Sequence, residues 1–144
     1  MAYRSKEELQ KIAENMQAYL ETDFSDDIDV IDDRSLTDPM REIIKKDILC
    51  QRVQLLTILI AKSGQCLAEA KYIQDQIINA GLLQAIGEGL ENKLSPSLIN
   101  KFVSTNAKDV NLLVNWFDRI NSAATHQLDG IRTIISYKKA ELNL

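Results

Sequence analysis

His126, in the stretch ATHQL, and the cysteines Cys50 and Cys66 are the residues here best suited to nucleophilic or acid–base chemistry. A nucleophile needs a base within hydrogen-bond reach, and usually a third group to orient that base. The spacing suggests no Ser–His or Cys–His pairing, and His126 reads as a flank residue of a helix. Zinc would want clustered Cys and His, but these three are dispersed. An EF-hand loop started at Asp23 fails, because its sixth position is Ile28 and its twelfth Arg34. Di-metal bundles need E-x-x-H, which does not occur. The stretch GEGLENK lacks the P-loop pattern and a preceding strand. The expectation is therefore a protein that is not an enzyme and carries no cofactor, no metal and no small-molecule substrate.

The other unusual stretch is DFSDDIDVIDD, Asp23 to Asp33. Residues 21–38 hold eight acids against Arg34, a net of −7, so the rest of a chain of net charge −4 carries +3. An acidic chain is not built to coat nucleic acid, but a local basic face is compatible with it. In an extended segment, alternation puts Ile28 and Val30 on one side and Asp27 and Asp29 on the other. Such a strand could add to the edge of a partner's sheet. Ile28, Val30, Ile31, Asp32 and Asp33 are the candidate docking residues, and IDVIDD resembles the SUMO-interacting motif. The simpler reading is an acidic linker over 21–38 whose aliphatic residues tuck onto the body. A third reading is a strap over a basic face elsewhere in the chain.

The elements that would position these residues are helices. Ser5 and Glu8 form a capping box, and Leu9, Ile12, Ala13, Met16 and Leu20 follow at helical spacing, giving a helix over about 6–21. Asp38 as cap and Pro39 at the first helical position open a second helix, which Gly81 would close, over about 39–80. An irregular connector is expected over 81–95. Ser95-Pro96 starts a short helix over about 96–103, STNA breaks it, and a last helix runs over about 107–142. The fold class expected is all-α. It is a single domain, 1–144, built on a long antiparallel hairpin with two shorter helices packed on it.

Cys50 and Cys66, 16 residues apart on one helix, would lie ~24 Å apart, too far for a bridge within it. Unpaired thiols and a polar, charged Met1–Gln10 point to the cytoplasm, or to a virion component assembled there. The longest apolar run, 55–61, is far short of the roughly 20 residues a membrane span needs, so no membrane partner is expected.

Two groups of residues could make contacts outside the chain. In an antiparallel hairpin, Lys45 and Lys46 near the start of the second helix gather with Arg132, Lys138 and Lys139 near the end of the last. They are candidate phosphate contacts, although cations also suit a helix C-terminus. In the last helix, Asn121 sits in an apolar seam, where a polar group can fix register or oligomer state. Trp116, Phe117, Ile120, Asn121 and Ile134 are the candidate oligomer interface. The stretches VSTNAKDVNLLVNW and LDGIRTIISYKK, within residues 103–139, resemble the small helical recombination mediators of large phages. The resemblance is carried by Lys108-Asp109-Val110, Trp116, Leu128-Asp129, Ile131 and Lys139. Where that family has an aromatic and Ser-Gly element, this chain has AKYIQDQ, and the spacing between matched pieces differs by about a helical turn. The resemblance implies a ring that loads a recombinase onto single-stranded DNA. The expectation from the residues is a non-enzymatic oligomerisation or protein-interaction subunit that acts in assembly or as an adaptor. Its alternative is a single-stranded nucleic-acid accessory protein of the phage type.

Overall fold

The computed structural model describes residues 3–22, 37–92 and 95–142. These form four α-helices: α1 (Lys6–Glu21), α2 (Asp38–Asn92), α3 (Pro96–Asn106) and α4 (Lys108–Leu142). No strand occurs among the described residues. The protein is an all-α bundle in which α2 contacts α1 and α4. The acidic stretch, with Ile28, Val30, Ile31, Asp32 and Asp33, lies outside the described residues.

Local chemistry sets most helix starts. The Glu8 amide donates to Ser5 Oγ at 3.2 Å, one half of the expected capping box. Ser95 likewise receives the Leu98 amide on its Oγ at 3.4 Å. The start of α2 differs by one residue. Thr37 Oγ accepts from the Met40 amide at 3.4 Å and Thr37 O from the Arg41 amide at 3.0 Å, so Thr37, not Asp38, is the cap.

The larger difference is at the far end of α2. Where an irregular connector was expected over 81–95, residues 81–92 continue the helix. Gly81 is buried within it and does not end the helix. The run Leu82, Leu83, Gln84, Ala85, Ile86 consists of good helix formers, which offset the roughly 1 kcal/mol that each interior glycine costs. The break after α3 falls at Ala107, inside the expected STNA stretch. Ala107 is buried and its carbonyl accepts from the Asn111 amide at 2.9 Å.

Contacts divide the chain into two compact units. The first comprises Met1–Glu14 and Ser63–Arg119. Its buried side chains are Leu9 and Ala13 of α1, Cys66 and Ala70 of α2, and Val110, Leu113 and Phe117 of α4. Ser63, Cys66 and Ala70 are all fully buried, a row of small residues on α2 that lets neighbouring helices approach closely. Gln74 donates to Asn111 across α2 and α4, and Lys6 lies 3.7 Å from Asp109.

The second unit comprises Asn15–Lys62 and Ile120–Leu144. Met16, Leu56, Leu59, Ile120, Ala124, Leu128 and Ile131 form its core. Two bonds fix the direction of its helices. Asn121 Nδ2 donates to Ile60 O at 3.0 Å, and Arg52 Nη2 donates to Gln127 Oε1 at 2.9 Å. A step up α4 from 121 to 127 thus matches a step down α2 from 60 to 52, an antiparallel pairing.

Candidate functional site

The residues suited to catalysis are not assembled. His126 is exposed on α4 and Cys50 exposed on α2 of the second unit, whereas Cys66 is fully buried in the first. Among the described residues, no three His, Cys, Asp or Glu side chains are grouped to hold a metal ion. None of the described helices is long and apolar enough to cross a membrane.

Two polar nodes went unseen in the sequence. In the first unit, Arg4 Nη1 donates to both carboxylate oxygens of Glu69, at 3.2 and 3.0 Å, and lies 3.9 Å from Cys66 Sγ. Glu69 is buried, so the guanidinium offsets the cost of burying its charge. The Arg4 pKa is raised, first by the hydrogen bond to Glu69 and then by its charge, while burial works against the shift. Tyr3 stacks on Tyr72 with ring centroids 4.4 Å apart, so residues 3 and 4 together pin the chain before α1 to α2.

In the second unit, Arg52 is buried. It donates to Thr22 Oγ1 at 2.9 Å, Tyr19 O at 3.2 Å and Gln127 Oε1, and its guanidinium sits 4.1 Å over the Tyr19 ring. Gln127 Nε2 in turn donates to Leu20 O at 2.9 Å. These are the carbonyls of the last turn of α1, which a helix leaves without partners and where its dipole favours a cation. Both nodes tie helices together.

The candidate phosphate contacts fall in the second unit, apart from the side chain of Lys138, which lies outside the described residues. Extending the antiparallel register places Lys45 and Lys46 beside residues 133–135, so they share one end with Arg132 and Lys139. Lys46, Arg132 and Lys139 are exposed. Lys45 is half-buried with Nζ 3.8 Å from Glu42, and Arg41 lies 3.8 Å from Asp38. Local acids therefore temper the positive charge of that end.

The candidate oligomer residues separate into two kinds. Phe117 and Ile120 are buried in the cores of their own units, and Asn121 spends its amide on Ile60 O. Those three serve the fold of this chain. Trp116 is half-buried, and Ile134 is 47% exposed. Sequence reasoning passed over other apolar side chains that stand open: Ile43, Ile58, Leu83, Leu112 and Tyr137 are each more than 60% exposed. Their signal was present as apolar residues off the main seams. No protein-family model, curated protein or solved structure matches the chain.

Proposed function

We propose that the chain is a non-enzymatic helical subunit that works by binding protein, as a homo-oligomer or within a larger assembly. The supporting observation is the set of large apolar side chains left open on helices that already have a closed core. Isolated exposed apolar residues are ordinary, but contiguous exposed apolar area marks contact surfaces. Mass by light scattering, run over a concentration range, tests this reading. A defined oligomer, or a stable complex with a protein partner, is expected. A monomer at all concentrations that also retains no partner would overturn it.

A second reading, a single-stranded nucleic-acid accessory protein of the phage recombination-mediator kind, draws on the cations at one end of the second unit. Lys45, Lys46, Arg132, Lys138 and Lys139 would each neutralise a phosphate, and binding would weaken steeply with salt. The same light-scattering run, repeated with an oligonucleotide at low salt, separates the two. An oligomer that gains the oligonucleotide's mass favours the second reading. In either case the cytoplasm, or a virion assembled there, is the compartment in which unpaired thiols persist.

A further inference from the structure

In the second unit, α2 buries Arg52, Leu56 and Leu59 on one side. The opposite side of such a helix is usually lined with charged and polar residues. Here it carries Ile43, Asp47, Cys50, Gln54, Ile58 and Ala61, at steps of three or four that keep to one face. Of these six only Asp47 is charged. All are exposed, Ile43 and Ile58 by 62% each, and Met40, one turn before Ile43, is 48% exposed. Lys46 and Lys62, both exposed, stand along the two edges. An apolar centre with a charged rim is the anatomy of a contact surface. Every residue of it belongs to the second unit.

We propose that this face of α2 packs antiparallel on the same face of a second copy, about a two-fold axis between residues 50 and 51. The occupant is a second copy because the face is complementary to itself in that direction. Ile43 meets Ile58 of the second copy, apolar on apolar, on both sides of the axis. Met40 meets Ala61, large against small. Asp47 meets Gln54, whose side-chain amide donates to the carboxylate. The two-fold makes each contact twice, as an isologous interface requires. Charge selects the direction and the register. A parallel pairing, or an antiparallel one slid a heptad toward the N-terminus, sets Asp47 against Asp47, and like charges repel. The axis brings Cys50 beside Cys50 of the second copy, with the helices about 8–10 Å apart. The proposal rests on the protein-binding reading above and names the partner and the surface.

The test measures mass by analytical ultracentrifugation on the full chain, with helix content followed by circular dichroism. Ile43→Lys and Ile58→Glu change exposed side chains, so each variant should keep its helix content. Each substitution acts twice across the two-fold and should weaken self-association about tenfold or more. The double variant I43K/I58E should restore it, because only the proposed register sets the new cation against the new anion. A short bismaleimide should link two wild-type chains through Cys50, whereas Cys66 is fully buried. Cys50→Ser should abolish the link and leave the sedimenting mass unchanged. An oligomer indifferent to both single variants overturns this surface but leaves the protein-binding reading standing. Loss in the singles without recovery in the folded double variant, or an oligomer that Cys50 does not link, also overturns it. A wild-type chain that stays monomeric removes self-association altogether, and only a complex with another protein would then keep the broader reading.

Discussion

Replacing Arg52 with methionine keeps the apolar stem and removes the guanidinium, which isolates what the charge contributes. Hydrogen bonds to Thr22 Oγ1, Tyr19 O and Gln127 Oε1 disappear. Bonds from a charged donor contribute about 1.5–3 kcal/mol each in mutational series. Against that, methionine does not have to be desolvated as a buried cation does, which returns part of the loss. The expected net destabilisation is roughly 3 kcal/mol, or a fall of ~6–12 °C in melting temperature for a chain of this size. Urea unfolding followed by circular dichroism measures the first quantity. Amide exchange locates the effect, which should be largest at the end of α1, where Tyr19 O and Leu20 O accept from this node. A double-mutant cycle with Gln127→Ala should show a coupling of about 1 kcal/mol or more, because the two side chains bond directly. A cost below about 1 kcal/mol, strict additivity with Q127A, or unchanged exchange at the end of α1 would refute the capping role of Arg52.

Two further outcomes follow from named contacts. Glu69→Gln removes the carboxylate that Arg4 grips and should cost about 1–3 kcal/mol by urea unfolding, with faster proteolysis ahead of α1. A raised Arg4 pKa stabilises the fold at every pH below the unfolded value and loses that effect only above it, so Arg4 should add no pH dependence between roughly pH 6 and 9. Thr37→Ala should cost about 1 kcal/mol, against a few tenths for Asp38→Ala, because Thr37 holds the cap; equal costs from thermal melts would return the cap to Asp38.

The helices were legible because their signals are local. Apolar spacing and a polar residue three positions before an orphan amide are both contained within a single turn. Errors arose where a local signal competed with burial. Gly81 looks like a terminator in isolation, yet it is buried and the helix runs on to Asn92. Thr37 and Asp38 are both good caps one residue apart, and only the geometry of the turn separates them. The two arginine nodes could not be read at all. Arg52 reaches partners 30 and 75 residues away, and Arg4 reaches one 65 away, so neither contact leaves a periodic trace.

Part of the candidate contact surface is spent inside the chain for a related reason. A seam of apolar residues says that something covers it, not whether the cover belongs to the same chain. Phe117, Ile120 and Asn121 stand on the seam of α4, and the chain's own packing consumes all three. Other apolar side chains of α4 stand on a different face. Tyr137 and Leu112 expose apolar area that water disfavours.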